Sequence, residues 1–380
     1  MSALVDVERR HALPGVGGVR YDALIATLCL LFQGGAYLDV WAHVHRPELE
    51  TFFTPWHAVL YTGFFAVAAA TVAPLVWRRA PGTSWARAMP AGYDWSLIGV
   101  LVFLLGGVLD MLWHVVFGIE ADVEALLSPS HLVLALGSTL ILTGPLRAAW
   151  RRADARVASW PAVLALGFLL SSFSFWTQYA HHFGRPWPAA GNRPTAAAFP
   201  VVAPDPLFRN MEIQSLYIAH ALGVASILLQ AALLSAVVLI AVRRWGPRLP
   251  AGAFAVIFGL NALMVAAARD QVSLVPGAIA AGLVADGLLR VLRPSPVRAA
   301  AFRAFAFAVP AVYFTLYFAG LALTRGVWWS LPLWSGAIVL AGTVGWLASW
   351  LVAPPAVDAG DDVSDAPRES HAAERHSVRY

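Results

Sequence analysis

Lysine is absent from the chain: all 26 basic residues are arginine. With no lysine amine there is no Schiff-base chemistry, which excludes a retinal protein. A P-loop is excluded too, because it needs its lysine on the phosphates. Cysteine is nearly absent. The single residue, Cys29, lies inside the first apolar run, so no intrachain disulfide forms and no cysteine cluster can hold zinc or iron–sulfur. Charge is scarce as well. Asp, Glu, Lys and Arg make up 13% of the 380 residues and hydrophobic residues 59%, against averages of about 25% charged and about 45–50% apolar in soluble domains. So little charge cannot cover a water-soluble globule, and soluble enzyme folds are excluded. The net charge of +4, with arginines on a lipid-facing rim, needs no nucleic acid to explain it.

What the chain does have is a succession of apolar runs of about 18 or more residues, each read as a membrane-spanning helix. Ten are expected, at 22–44, 56–77, 95–117, 130–149, 160–182, 213–242, 252–269, 274–292, 302–324 and 331–353. They form one all-α polytopic membrane bundle over 22–353, preceded by a cytoplasmic segment at 1–21 and followed by a polar, disordered cytoplasmic tail at 354–380. The first run is as long as a full span, so an uncleaved helix is expected rather than a signal peptide.

Arginine orients the bundle. The N-terminal segment, the loops after the even-numbered spans and the tail hold 20 of the 26 arginines; the other side holds Arg46, Arg185, Arg193, Arg209, Arg269 and Arg325. The positive-inside rule puts the arginine-rich side and both termini in the cytoplasm, and the protein in the plasma (inner) membrane. Trp41, Trp56, Trp113, Trp176, Trp187 and Trp328 fall near the outer ends of spans, where an aromatic belt is expected.

Of the 11 histidines, His11, His371 and His376 lie in the terminal segments and read as solvated. The other eight, His43, His45, His57, His114, His131, His181, His182 and His220, all map to the outer side, near the end of an odd-numbered span or the start of an even-numbered one. An internal repeat relates them. Asp39 and His43 correspond to Asp110 and His114 at an offset of 71, and Pro55, His57 and Gly63 to Pro129, His131 and Gly137 at an offset of 74. Both hairpins begin with Tyr-Asp, at Tyr21-Asp22 and Tyr93-Asp94. The repeat units are 22–77 and 94–149, with diverged copies at 160–243 and 252–292 and a last pair of spans at 302–353. Such repeats build sites between their copies.

Helix geometry supplies the chemistry. Asp at i and His at i+4 share one face. Thr54-Pro55 and Ser128-Pro129 read as an N-cap followed by proline at the first helical position, which puts His57 and His131 in the first turn of the returning helix. Each hairpin can aim one carboxylate and two imidazoles at a common volume. That ligand set suits iron and also copper or zinc. In the third copy Gln178 and His182 keep the i, i+4 spacing and His220 opens the next span, so the expected metal ligands are Asp39, His43, His57, Asp110, His114, His131, His182 and His220. The proline-rich connection at 183–211 could close over them as a lid. In the fourth copy, Arg269-Asp270 and Pro276-Gly277-Ala278 keep only an echo.

Blander readings attach to each group. A lone intramembrane histidine is more often a hydrogen-bonded packing residue, and Asp39 and Asp110 could anchor the N–H groups of the returning helices. His45 has no counterpart in the second hairpin and reads as surface, and Asp286 reads as a snorkelling ion pair with Arg290. The duplication favours metal, because ionisable groups are expensive in a bilayer and usually mark function there. The spacing Asp39-x3-His43 followed by His57 is similar to the Asp-x3-His and later His that bind metal in the C subunit of particulate methane and ammonia monooxygenases. That likeness covers three residues and implies only that such a set can hold copper at membrane depth.

The expected function is a membrane metal-binding protein with its site at the extracytoplasmic face. Copper or iron would support an oxidoreductase acting on a small apolar or lipid-like substrate, and zinc a hydrolase. The alternatives are a transition-metal permease and a bis-histidine haem protein passing electrons, with pairs such as His43 and His114 on the iron. The lipid bilayer is the one obligatory partner; membrane partner subunits are compatible with this reading.

Overall fold

The computed structural model describes residues 17–46, 54–77, 88–118, 122–152, 157–194 and 211–354. In chain order its helices are α1 (Val19–His45), α2 (Pro55–Trp77), α3 (Asp94–Phe117), α4 (Asp122–Leu127), α5 (Pro129–Leu142), α6 (Gly144–Arg151), α7 (Trp160–Trp176), α8 (Met211–Arg244), α9 (Ala253–Ala268), α10 (Val275–Leu292), α11 (Ala299–Thr324) and α12 (Leu331–Val352). Among the described residues there is no strand, only isolated antiparallel bridges at Ala189–Val327 and Ser295–Arg298. The protein is a helical bundle with seven helices long and apolar enough to cross a membrane, or eight if the bent pair α5–α6 is one span. The remaining two of the ten expected spans hold the shorter apolar helices α7 and α9, of 17 and 16 residues, at or below the lower limit of about 17 for a spanning helix. The terminal segments, with His11, His371 and His376, lie outside the described residues.

The bend between α5 and α6 has a local cause. Pro145, in the first turn of α6, has no N–H to continue the ladder. Arg147 donates to Leu140 O, beside the break, at 2.7 Å, and ties α6 to the start of α3 by donating to Gly92 O at 3.0 Å and Ser96 Oγ at 2.8 Å. The start of α1 is held to the same region. Asp22 is fully buried, accepts the Tyr93 hydroxyl at 2.8 Å and pairs with Arg152. Asp94, its sequence counterpart, is exposed and paired with Arg151 at 3.2 Å.

Two hairpins, α1–α2 and α3–α5, are packed in the same manner. A Cβ added at Gly63 would stand 2.6 Å from Cα of Phe32, and one at Gly137 would stand 2.6 Å from N of Phe103. Only glycine lets the backbones approach so closely, and small residues are the usual means of helix contact in lipid. Phe32 and Phe103 differ by 71 and the glycines by 74, so residues equivalent in sequence make equivalent contacts. The expected third hairpin is not built this way. α7 packs chiefly on α9 and α1, and α8 chiefly on α12.

Candidate metal centre

Each hairpin brings its carboxylate and two imidazoles together. In the first, Asp39 Oδ2 is 3.6 Å from His43 Nε2 and Asp39 Oδ1 is 3.5 Å from His57 Nδ1. In the second, Asp110 Oδ2 is 3.6 Å from His114 Nε2 and Asp110 Oδ1 is 3.4 Å from His131 Nδ1. The ring centroids are 6.0 Å apart in both copies. Within each group one ligand atom per residue lies within 4.8 Å of the others, a spacing that could hold a metal ion.

The sequence dictates this locally. The i, i+4 spacing stacks the histidine on its aspartate one turn away. On the returning helix Thr54 caps α2: its Oγ1 accepts the His57 N–H at 3.1 Å and contacts His57 Nδ1 at 3.0 Å. Ser128 occupies the N-cap of α5 without a side-chain capping bond, and its Oγ contacts His131 Nδ1 at 2.7 Å instead. Asp110 accepts the Ser130 hydroxyl at 3.0 Å. Among the described residues, neither aspartate anchors backbone N–H groups of the returning helix.

The second group shows why a cation suits it. His114 Nδ1 contacts the Gly118 carbonyl at 3.1 Å. A carbonyl only accepts, so in this contact Nδ1 carries the proton. In the neutral ring the Nε2 lone pair then faces the Asp110 carboxylate, an arrangement that calls for a positive charge between them. Metal-ligating histidines are commonly oriented in this way, with the other ring N–H on a backbone carbonyl.

Both groups face one cleft. Asp39, His57, Asp110 and His131 share its wall with Gln33, Tyr61, Ser138 and an apolar set that includes Phe32, Phe103 and Trp176. Its volume is about 80 Å³. α7 packs on both α1 and α5 and contributes Phe175 and Trp176. Tyr61, on α2, lines the cleft together with Asp39 and Asp110. A Cβ at Gly107 of α3 would stand 2.8 Å from its hydroxyl, so Gly107 makes room for a phenol reaching from one hairpin to the other. Phe32, Phe64 and Phe103 close the inner end, with the Phe103 ring centroid 5.0 Å from that of Phe32 and 4.7 Å from that of Phe64.

His182 and His220 belong to neither group among the described residues. The i, i+4 relation of Gln178 and His182 is lost because α7 stops at Trp176 and a short 3-10 turn follows at Gln178–Ala180. Gln178 Oε1 accepts from Arg269 Nη2 at 2.6 Å. His182 is buried, stacks on His181 at 4.4 Å and meets the edges or faces of Tyr313, Phe314 and Tyr317 at 4.8–5.6 Å. Neither of its ring nitrogens has a hydrogen-bond partner among the described residues. His220 stacks on Trp328 at 4.7 Å.

His45, read as surface, is 28% exposed and has partners there: its Nε2 contacts Asp270 at 2.6 Å and its ring stacks on Trp41. One other expectation is corrected. Asp286 makes no carboxylate pair with Arg290 among the described residues. It accepts the N–H groups of Phe254 and Ala255 at the start of α9, where the helix dipole favours an anion, while Arg290 donates to the carbonyls of Asp286 and Leu249. The described part of the proline-rich connection is fastened to the α11–α12 loop through Ala190 N–H to Gly326 O and Trp328 N–H to Pro188 O; residues 195–210 lie outside the described ones.

Tyr61, Ser130 and Gly107 escape a reading of the sequence alone. All three fall at positions where the two copies align but differ in residue, opposite Ala135, Trp56 and Ala36, and those mismatches are the available signal. Comparison of the chain with protein-family models, curated proteins and solved structures finds no match.

Proposed function

We propose that this protein is a multi-pass membrane metalloenzyme whose two Asp/His/His groups each bind a transition-metal ion at a shared cleft. Copper or iron fits best with redox chemistry on a small apolar substrate, and zinc would fit hydrolysis. The arginine distribution supports a plasma (inner) membrane location with cytoplasmic termini and the cleft toward the extracytoplasmic side. The observation that carries this reading is the pair of ligand groups, repeated in sequence and in geometry, with Asp39, His57, Asp110 and His131 lining one small cleft.

The cleft also narrows the substrate. About 80 Å³ is roughly half of the ~150 Å³ that accepts benzene in an apolar cavity, which favours a molecule of a few heavy atoms over a lipid headgroup or a porphyrin. The packed rings of Phe32, Phe64 and Phe103 beside the cleft favour an apolar substrate over a permeating ion. Metal analysis and an optical spectrum of the purified protein test the reading. Bound copper or iron without a Soret band is expected, and His57→Ala with His131→Ala should remove most of it. Unchanged stoichiometry in that double variant would refute the assignment; a Soret band would select haem, and metal uptake into vesicles would select a carrier.

A further inference from the structure

The two ligand groups are copies in sequence but differ in setting; His131 is slightly more exposed than His57, at 22% against 16%, and the larger differences, at the aspartates and at His43 and His114, run the other way. In the second group the Asp110 side chain is 3% exposed and His114 13%, Ser130 donates to Asp110 Oδ1, and the Gly118 carbonyl fixes the His114 ring. In the first, Asp39 is 13% exposed and His43 41%. No backbone carbonyl backs the His43 ring among the described residues. Asp39 Oδ1 is buried yet has no hydrogen-bond donor among the described residues. The residue in register with Ser130 is Trp56, which turns its ring toward Trp41 at 5.8 Å.

These features matter for metal binding in a defined order. Partners behind the ligands hold them in place, and losing such a partner weakens metal binding by about 10–100-fold. Closed sites hold structural ions, whereas sites that do chemistry keep a coordination position open. Ser130 occupies the acceptor on Asp110 that its counterpart on Asp39 leaves unmet. An O–H donor is what Asp39 Oδ1 lacks, and a metal-bound water supplies one.

We propose, on the reading that both groups bind metal, that they divide the work: Asp110, His114 and His131 hold a resident ion, while Asp39, His43 and His57 hold an exchangeable ion that carries a water donating to Asp39 Oδ1. Tyr61 lines the cleft shared by residues of both groups.

The full-length protein in detergent, loaded with cobalt(II), desalted and challenged with excess EDTA, tests the order of release. Release in two phases separated on the order of 10–100-fold is expected. His57→Gln should remove the fast phase and His131→Gln the slow one. Ser130→Ala should speed the slow phase, and Trp56→Ser, which supplies a hydroxyl in register, should slow the fast one. A single phase, or loss of the slow phase in His57→Gln, overturns the division. Mapping in the unmodified protein needs no variant to fold: one equivalent of cobalt should protect His114 and His131 from carbethoxylation while His43 and His57 still react, and the reverse order overturns the proposal. With copper(II) in place, His131→Gln should enhance water-proton relaxation and His57→Gln should not; the opposite result removes the water. An unmodified protein that retains no cobalt after desalting sinks the metal reading itself, a result distinct from all of these.

Discussion

In the two hairpins every histidine of the candidate site faces a carboxylate, and in the region from α7 to the start of α8 none does among the described residues. Asp39 and Asp110 each sit between two imidazoles at 3.4–3.6 Å. His181 and His182 instead stack on one another, and Tyr313, Phe314 and Tyr317 of α11 enclose His182. His220 lies flat on Trp328. One residue type thus serves as a candidate ligand in one region and as an aromatic packing unit in the other. What separates the two is the carboxylate near the end of the outgoing helix, one turn before His43 and His114 on a helix that continues that far and across from His57 and His131 on the returning helix. Gln178 fails on both counts, being uncharged and lying beyond the end of α7.

Replacing histidine by phenylalanine should break this comparison most sharply. His131→Phe removes a ligand and should abolish metal binding at the second group. His182→Phe keeps a ring in the aromatic cage and eliminates two buried ring nitrogens that have no partner among the described residues. A buried unsatisfied polar group costs about 1–3 kcal/mol, so this variant should melt higher in detergent by a comparable stability increment and keep its full metal content. If His182→Phe lost metal as His131→Phe does, the two regions would not differ in the way described.

The hairpins are legible in the sequence because their chemistry is local. An aspartate and a histidine four apart, and a proline after a hydroxyl residue, specify their own geometry within a turn or two. The third copy misleads for the same reason: spacing shows i, i+4 only while the helix lasts, and nothing local in Phe175-Trp176-Thr177 announces that α7 ends there. Asp286 misleads because its partners, the N–H groups of Phe254 and Ala255, are distant in sequence, whereas Arg290 is near. Tyr61 depends on two hairpins meeting, so only the assembled bundle shows that Gly107 makes room for its hydroxyl.

The glycine contacts allow a subtler comparison, within the similar pair. Gly63→Ala and Gly137→Ala each place a methyl 2.6 Å from the backbone of the partner helix. Neither backbone can yield without separating the helices that carry the ligands. Overpacking of this kind costs about 1–3 kcal/mol. Both variants should melt lower, by similar amounts, and each should loosen the metal of its own hairpin more than that of the other. Melting curves and cobalt release rates would check this. Unequal losses of stability would mean that the two hairpins bear different shares of the bundle's packing despite their matching contacts.

The smallest effect is expected where a histidine meets a carboxylate outside the cleft. His45 contacts Asp270 at 2.6 Å, but the Asp270 side chain is 68% exposed, and water and salt leave an exposed ion pair little net strength. His45→Gln should therefore lower the melting temperature only slightly, lose that difference at high salt, and leave bound metal unchanged. The contrast with His43, two residues earlier on the same helix, is informative. His43 has Asp39 one turn below it and His57 across from it; His45 has a single acid on a solvent-exposed turn and the Trp41 ring on its other side. Bound metal that fell in His45→Gln as it does in a His43 variant would show that proximity to one carboxylate suffices, and the requirement for two imidazoles on a shared acid would have to be given up.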